Sequence, residues 1–561
     1  MKIRVKTTQL NYDLSKPLKK EVHRKSQELD KTTDPTLAAR LRKDLENFKE
    51  YVELLVASND RILDVFMTIT ITKDTYEELN DSCRKLKNDF SQMNFKIKDL
   101  AMMQEELFKL NSPLFVKHGV HEDLIWNLGV PMTTTAFATM WPYHFLKLMD
   151  KDGFLLGFEK NNNGIIMIDP FFYNHQRRES QNQNRLNGNI VVFGAQGSGK
   201  STALMKFIRH FIKKKIKTIW IDPENKNVHL LKRYGGEFVN WGTPNNQINI
   251  FDLKPITTDE DDQFDDVRWN TTISISNVID DFKTVLMLYH GNIVDKVAEA
   301  VNEIDELVMK TYALKGISAT TDFRNLTNQD YPILEDFRDV LIKEIEIEKT
   351  NYRKELLTKL NSYIKPLIVS NGHFFNGHTT VKNNTNFLGF GTKSLKNKDL
   401  GLRNALNFIM FKYSWAICSG EGDTALVMDE GQEYILEGES AREMSTYARR
   451  SRKYNNLFVY ASQDPSDLNS SVLINGVEMK AYGTAIMNNS AYKLIMGVSK
   501  HAVDSLAELI SLNDWERHLL DTNNRRILQG DGLFFAGNQK MVISVYATPK
   551  ELYEMDPIRN Q

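Results

Sequence analysis

One glycine-rich segment limits what this chain can fold into more than any other feature. The apolar run from Asn189 to Phe193 leads into Gly194-Ala195-Gln196-Gly197-Ser198-Gly199-Lys200-Ser201-Thr202, and apolar residues at three- and four-residue spacing follow it. This is the G-x-x-x-x-G-K-[ST] pattern in the strand–loop–helix context that the pattern requires. A chance match in a glycine-rich turn is the competing interpretation, and the flanking segments disfavour it. We therefore predict a phosphate-binding loop that holds a nucleoside triphosphate.

The residues of this loop have separate predicted roles. Glycines let the backbone wrap around a phosphate because no Cβ is in the way, so that successive N–H groups point at the anion. Lys200 should reach the β- and γ-phosphates, and the hydroxyl of Ser201 should ligate Mg²⁺. The predicted nucleotide-binding residues in this segment are Gly194, Gly197, Ser198, Gly199, Lys200, Ser201 and Thr202.

A second segment carries the acids that such a site needs. Ala425 to Met428 is a short apolar run that ends in Asp429 and Glu430. Asp429 at the carboxyl end of a strand can hold Mg²⁺, and Glu430 beside it can act as a general base towards water. A buried strand that merely ends in acids is the alternative, and the loop upstream favours the functional interpretation.

Further catalytic candidates follow this strand. Gln463 ends the apolar run that begins at Asn456, and the carboxyl ends of neighbouring parallel strands share one crevice. Gln463 could therefore orient water there, and a surface glutamine is the alternative. Arg449 and Arg452 could reach the γ-phosphate bound by a neighbouring subunit, or they could complement a helix dipole.

Length and composition narrow the class of protein. At 561 residues the chain should form several domains, and its net charge of −1 gives no overall field that recruits nucleic acid. Two cysteines far apart, Cys83 and Cys418, exclude a disulfide scaffold and suit a reducing compartment. No apolar segment reaches the ~20 residues that cross a bilayer. We expect a cytoplasmic protein without a membrane span.

The pattern of apolar residues predicts an α/β fold in several parts. A helix is predicted at 34–57, and after it a strand at 62–72, a helix from 76 to about 93, a strand near 95–97 and a helix at 102–110. This β-α-β-α order indicates a small α/β domain over residues 1–112. Residues 113–188 are predicted to form a β-rich connector, and an Asn/Gln-rich stretch at 174–189 is predicted to be a linker or surface loop. The domain with the phosphate-binding loop covers 189–255 and 385–561, interrupted by a helical insertion at 256–384, and it ends with a hairpin at 526–546.

The order of these parts resembles the VirB-four family, the ATPases at the cytoplasmic base of conjugation and type IV secretion machines. The resemblance covers almost the whole chain and includes the loop, Asp429-Glu430 and Ser462-Gln463. The other matching segments are Met132-Thr133-Thr134, Trp141-Pro142-Tyr143, Asp152 to Gly157, Asp169, Asp222-Pro223-Glu224, Ile248 to Asp252, the Arg-Lys-Tyr-Asn segment at 452–455 and Gly530-Asp531-Gly532.

This resemblance implies a RecA-like P-loop NTPase domain with an all-α insertion, preceded by a smaller α/β domain that is shortened relative to the family. It assigns Asp222 and Glu224 to the nucleotide site and the family's arginine finger to the segment 449–453. It also implies assembly into dimers or hexameric rings, and peripheral docking onto inner-membrane components and other ATPases of a secretion channel. One departure is Lys226, which stands where the family often has an acid.

Three functions remain open from the sequence. The first is a motor that hydrolyses ATP with Mg²⁺ and powers channel or pilus assembly or substrate transfer in a conjugative type IV secretion system. The second is a DNA-pumping translocase of the coupling-protein or segregation type, for which DNA is the partner. The third is a structural hub that binds nucleotide without consuming it, which the intact Lys200, Asp429 and Glu430 disfavour.

Overall fold

The computed structural model describes most of the chain. The described residues are 2–9, 15–32, 62–92, 97–99, 130–139 and 147–555, apart from 227, 256–268, 292–297, 383–384, 420–421, 436, 470–472, 475–476 and 525–526; scattered residues between 34 and 46, with 103 and 105, complete them. The chain divides into two compact units, Met1–His144 and Phe145–Gln561. The five-part division expected from the sequence stays a prediction.

The first unit contains a small antiparallel sheet with helices. Strands β1 (Lys2–Gln9), β2 (Ile62–Thr70) and β3 (Val130–Thr133) lie in the order β1-β2-β3. The described helices of this unit are α1 (Ser15–Lys31), α2 (Tyr76–Gln92) and α3 (Thr134–Thr139). The helix expected at 34–57, the strand near 95–97, the helix at 102–110 and the motif Trp141-Pro142-Tyr143 fall largely or wholly outside the described residues.

The second unit is built on one sheet of twelve described strands in the order β4-β6-β5-β17-β16-β15-β7-β12-β11-β8-β10-β9. Strands β15 to β9 of that order run parallel, and β5, β6, β16 and β17 extend the sheet with antiparallel pairs. The sheet strands are β4 (Leu148–Met149), β5 (Phe154–Glu159), β6 (Ile165–Ile168), β7 (Ile190–Phe193), β8 (Lys217–Asp222), β9 (Glu237–Asn240), β10 (Phe387–Gly391), β11 (Thr424–Met428), β12 (Asn456–Ser462), β15 (Tyr492–Met496), β16 (Asp531–Ala536) and β17 (Gln539–Val545); β13 (Leu473–Ile474) and β14 (Val477–Glu478) pair separately.

Helices cover this sheet and form the insertion. The helices are α4 (Phe172–His175), α5 (Arg177–Asn182), α6 (Lys200–Lys213), α7 (Val228–Arg233), α8 (Thr271–His290), α9 (Ala298–Asn302), α10 (Ile304–Leu314), α11 (Leu334–Ile347), α12 (Asn351–Val369), α13 (Gly372–Phe375), α14 (Leu400–Cys418), α15 (Gln432–Ile435), α16 (Gly438–Arg450), α17 (Met479–Asn488), α18 (Lys500–Leu509), α19 (Asp514–Leu520) and α20 (Pro549–Met555). The described elements between β9 and β10 are all helical, so the predicted α/β fold class with an all-α insertion is confirmed.

The central parallel strands are buried on both faces. Every residue of β7, β11 and β12 is buried, which explains why these segments read as continuous apolar runs rather than as alternating patterns. Parallel strands end at a common edge, so the residues after Phe193, Met428 and Ser462 meet at one side of the sheet. The candidate site lies at this edge.

The stretch at 174–189, predicted to be a linker or surface loop, lies largely at the surface, but it contains the short helix α5 and is anchored to the sheet near its end. Arg185 is fully buried, and its Nη1 donates to Asp150 Oδ1 at 2.8 Å and its Nη2 to the Tyr492 hydroxyl at 2.6 Å. Its guanidinium also lies 3.8 Å from the centre of the Phe172 ring. The polar composition suggested a loop, but this one paired cation fixes the stretch to the strand β15.

No described helix has the length and apolar character needed to cross a bilayer.

Replacing Arg185 should test this packing. The change Arg185→Ala leaves Asp150 buried without its cation, so we expect the free energy of unfolding to fall by about 3–5 kcal/mol. The matched control is Arg324→Ala, which removes an exposed arginine paired with Asp322 and should leave the melting temperature nearly unchanged. Thermal and urea unfolding measure both, and equal effects of the two substitutions would contradict the assignment.

Candidate nucleotide-binding site

The glycine-rich loop adopts the conformation that its sequence predicts. It connects β7 to α6, with Gly197 at φ +82° and Gly199 at φ +104°, a region that other residues rarely adopt. A Cβ on Gly194 would come within 2.3 Å of Ser198 Oγ, whereas one on Gly197 would meet nothing within 4 Å. The loop therefore leaves open space at its tip, where backbone N–H groups can face an anion.

Lys200 begins α6 and contacts the two predicted acids. Its Nζ lies 2.8 Å from Glu430 Oε2 and 3.7 Å from Asp429 Oδ1. Lys200 is 6 % exposed and each acid 8 %, so the three charges lie in a protected environment. The structure therefore brings the loop and the acidic strand end together, as the sequence predicted.

The end of β11 directs these two acids towards the loop. The Asp429 N–H donates to Ile221 O at 3.1 Å, which continues the pairing of β11 with β8. Glu430 then takes a left-handed φ of +47°, and its N–H donates to Asp429 Oδ1 at 3.0 Å. A Cβ on Gly431 would lie 2.2 Å from the Tyr460 ring, so the sharp turn after Glu430 needs a glycine at the next position.

The surroundings shift the pKa values of the two acids in opposite directions. Burial raises the pKa of Asp429 to about 6; the nearby charges of Glu430 and Asp222 add to this and Lys200 opposes it. Burial also acts to raise the pKa of Glu430, but the charge and hydrogen bond of Lys200, with amide donors, outweigh it and lower the pKa. Lys200 therefore holds Glu430 ionised and poorly basic.

Two amides complete the environment of Glu430. Gln463 Nε2 donates to Glu430 Oε1 at 3.0 Å, so the structure brings this predicted residue to the site. Gln432 Nε2 donates to Glu430 Oε2 at 2.7 Å. Gln432 was not among the residues predicted from the sequence, because its contact with Glu430 depends on the left-handed turn at Glu430.

Three further residues predicted for the nucleotide site are Asp222, Glu224 and Ser201. Asp222, at the end of β8, is buried, and its Oδ1 accepts from the Glu224 N–H at 3.0 Å. Its charge acts on Asp429. The carboxylate of Glu224 pairs with Lys226, and among the described residues no contact joins it to Lys200. Ser201 is exposed at the start of α6, where a ligand can reach it.

Arg449 and Arg452 lie at the opposite edge of the sheet from the loop. Helix α16 carries the chain back from the carboxyl end of β11 to the amino end of β12, and both arginines lie near that amino end. Ala448 O accepts from Asn189 Nδ2 at 2.7 Å, and Asn189 directly precedes β7. Both arginines are exposed. They therefore do not reach the site of their own chain, and a role towards a neighbouring subunit stays a prediction.

The residues present fit a magnesium-bound nucleoside triphosphate. The buried Ser198 Oγ has no hydrogen-bond partner among the described residues, and a lysine stands beside two carboxylates at the edge of an open loop. Hard oxygen ligands from Ser201 and Asp429 match the preference of Mg²⁺.

Comparisons with known proteins support the fold. VirB4 of Thermoanaerobacter pseudethanolicus superposes with a TM-score of 0.58 at 22% identity, covering 72% of this chain and 100% of that one. The bacterial conjugative coupling protein TrwB superposes with a TM-score of 0.39 at 13% identity over 65% of this chain and 87% of that one, which is too low to support an argument. The fold implied by the resemblance to the VirB-four family, a RecA-like P-loop domain, is confirmed.

An uncharacterized protein of Bacillus anthracis is 21% identical over 528 residues, covering 85% of this chain and 77% of that protein. No protein-family model matches the chain.

Two alanine substitutions in the loop should differ in their effect on stability. Gly197→Ala and Gly199→Ala both force a side chain into a left-handed conformation, which costs about 1–2 kcal/mol. At Gly199 the added Cβ would also lie 3.0 Å from Met496 Cε and 3.1 Å from Gly530 Cα. We expect Gly199→Ala to lower the free energy of unfolding by about 1–3 kcal/mol more than Gly197→Ala does. Urea denaturation measures both, and the reverse ranking would show that the loop packs differently.

Proposed function

We propose that this protein is a Mg²⁺-dependent ATPase that acts as a motor of a conjugative type IV secretion system, powering channel or pilus assembly or substrate transfer. The observation that carries the proposal is Lys200, held between Asp429 and Glu430 at the end of a phosphate-binding loop. The resemblance to the VirB-four family and the fold it shares with VirB4 of Thermoanaerobacter pseudethanolicus support the choice of machine.

Lys200 connects nucleotide binding to the basicity of Glu430. When a triphosphate enters the loop, its β- and γ-oxygens offer Lys200 a stronger set of anionic partners than one carboxylate. Glu430 then loses the cation that lowers its pKa, and its pKa rises. The proposal is that substrate binding turns Glu430 from an ion-paired carboxylate into a general base.

The hydrolytic step uses the residues around this base. Glu430 takes a proton from a water molecule, the water oxygen forms a bond to the γ-phosphorus, and the bond to the β,γ-bridging oxygen breaks, which leaves ADP and phosphate. Gln463 and Gln432 fix the two oxygens of Glu430 for this transfer. Asp429 and Ser201 would hold Mg²⁺, which neutralises charge on the phosphate oxygens when it is bound.

Assembly into a ring would complete the site. Arg449 and Arg452 are exposed at the edge of the sheet opposite the loop, so a γ-phosphate that they contact would be one bound by another copy of the chain. Arginine fingers supplied in trans contribute about 10³–10⁵ in rate. We propose that a dimer or hexameric ring supplies them, and that the protein is peripheral at the inner face of the cell membrane, docked on the channel's inner-membrane components and other ATPases.

A DNA-pumping translocase of the coupling-protein type is the second candidate. Lys213, Lys214 and Lys215 end helix α6 and its cap as a basic cluster that could contact phosphates of DNA, although cations are also favoured at any helix end. ATP turnover stimulated by DNA, with movement along it, would favour this candidate over the secretion motor.

Phosphate release is the test of the ATPase. Lys200→Ala removes the phosphate contact, and Glu430→Gln keeps the shape of the base but removes its basicity, so we expect each to lower turnover by at least about 100-fold. Chelation of Mg²⁺ should abolish turnover of the unaltered protein. The control is Glu433→Gln, an exposed acid three residues from Glu430 that pairs with Lys396. The ATPase proposal fails if Lys200→Ala and Glu430→Gln release phosphate as fast as Glu433→Gln does.

The effect of Gln432 on the pKa of Glu430 can be tested through the pH dependence of turnover. Its amide donates to the charged form of Glu430 and so lowers the pKa of that carboxyl. Gln432→Leu removes the donor, so the pKa of Glu430 rises and the acidic limb of the kcat profile moves to higher pH. Gln27→Leu, on helix α1 in the first unit, is the control with an unchanged profile. A fall in kcat with no shift of the limb would assign Gln432 a merely structural role.

A further inference from the structure

A turn before β16 contacts the phosphate-binding loop through its backbone. The Gly530 N–H donates to Ser198 O at 2.8 Å. A Cβ on Gly199 would lie 3.1 Å from both the N and the Cα of Gly530, so the two backbones are in contact. The turn opens the segment Gly530-Asp531-Gly532, to which the proposed function assigns no role.

The bond to Ser198 O fixes the direction of one N–H group of the loop. In a planar trans peptide the C=O and the N–H of the next residue point in opposite directions. Because the Ser198 carbonyl points at the turn, the Gly199 N–H points away from it. The N–H groups of Ala195 and Ser198 donate to Gly497 O and Ala195 O at 2.9 and 3.1 Å, whereas that of Gly199 donates to no described residue. The turn therefore orients an N–H group that is available to an anion.

A buried carboxylate determines the shape of this turn. Asp531 is buried, and its Oδ2 accepts from the Leu528 N–H at 3.1 Å, while its own N–H donates to Leu528 O at 3.0 Å. These two bonds close the turn around Gly530, which takes a φ of +90°. The Val545 N–H donates to Gly530 O at 2.8 Å and ties the turn to the end of β17. The position of the Gly530 N–H thus depends on the Asp531 carboxylate.

Lys160 supplies the cation that this carboxylate needs. Lys160 directly follows β5, and its ammonium pairs with Asp531 Oδ2, the same oxygen that closes the turn. The Lys160 side chain is 32 % exposed and that of Asp531 only 4 %. A buried carboxylate without its cation is strongly destabilised. Loss of Lys160 should therefore drive the carboxylate towards water, break its bond to the Leu528 N–H and release Gly530 from the loop.

We propose that Lys160 and Asp531 are positioning residues for nucleotide binding: their ion pair holds the turn at Gly530, and the turn directs the Gly199 N–H at the phosphates. The inference rests on the proposed nucleotide-binding function and adds to it two residues that act on the loop through Gly530. A donor that is already in position lowers the cost of ordering the loop on binding. Affinity for the phosphate chain, whatever the base attached to it, therefore depends on this ion pair.

The test uses three substitutions and two ligands. Lys160→Met removes the ammonium and keeps the apolar stem, Asp531→Ala removes the carboxylate, and Lys160→Arg keeps a cation. The probes are ATP and inorganic tripolyphosphate, whose dissociation constants are measured by calorimetry on the full chain. We expect Lys160→Met and Asp531→Ala to weaken both probes by the same factor, roughly 10- to 100-fold, the range of one hydrogen bond to a charged group. Lys160→Arg should restore the binding of both.

Lys540→Met is the matched control for stability. Lys540 pairs with Glu516, and their side chains are 31 % and 8 % exposed, close to the values of the Lys160–Asp531 pair. Lys540 lies at the far end of the β16–β17 hairpin, opposite Phe535, and its described ion pair does not involve the loop. We expect Lys160→Met and Lys540→Met to lower the free energy of unfolding in urea by similar amounts, and only Lys160→Met to weaken the probes.

The outcomes distinguish the positioning role from the proposed function. If the unaltered protein binds neither probe, the nucleotide-binding function is wrong and the inference falls with it. If it binds both, but Lys160→Met and Asp531→Ala bind them as tightly as the unaltered protein does, only the positioning role is wrong. A loss confined to ATP, or an equal loss of binding in Lys540→Met, would also overturn the positioning role, because the effect would then not act through the phosphate contacts of the loop.

Discussion

The ion pair between Lys200 and Glu430 is the interaction on which the rest of the site depends. A buried ammonium needs a partner, and the structure supplies two carboxylates from a different strand. The loop, the turn after β11 and the amides of Gln432 and Gln463 all serve to bring these groups together. The same pair lowers the pKa of the residue proposed as the base, so Glu430 is held ionised and poorly basic.

The sheet explains how distant segments reach this pair. Lys200 and Glu430 are far apart in the sequence, but β7 and β11 are separated only by β12 and run parallel, so their carboxyl ends share one edge. The helical insertion enters between β9 and β10, at the far end of the same strand order. Its helices can therefore be long without interrupting the strands that carry the site.

Local patterns predicted the parts of the site that are local. The loop and the acids after β11 follow from glycine spacing and from short apolar runs with polar ends, which are properties of neighbouring residues. Their meeting at one edge of the sheet was also predictable, because parallel strands place their carboxyl ends at the same edge. The helical character of the insertion followed from its periodic segments.

Long-range pairing was not predictable in the same way. The composition of residues 174–189 does not predict that Arg185 is buried against Asp150 and Tyr492. The antiparallel pairing of β5 with β17 links the hairpin of β5 and β6 to the rest of the sheet. These two segments share no local sequence pattern that would predict the pairing. The contact of Gln432 with Glu430 depends on the left-handed turn at Glu430, which side-chain spacing alone does not reveal.

A structure of the unaltered protein with a non-hydrolysable ATP analogue and Mg²⁺ tests the exchange of partners by Lys200 most directly. The account predicts Lys200 Nζ at hydrogen-bonding distance, about 3 Å, from β- or γ-phosphate oxygens, with its bond to Glu430 broken. A nucleotide bound elsewhere, or a loop filled by the analogue while Lys200 remains on Glu430, would contradict it.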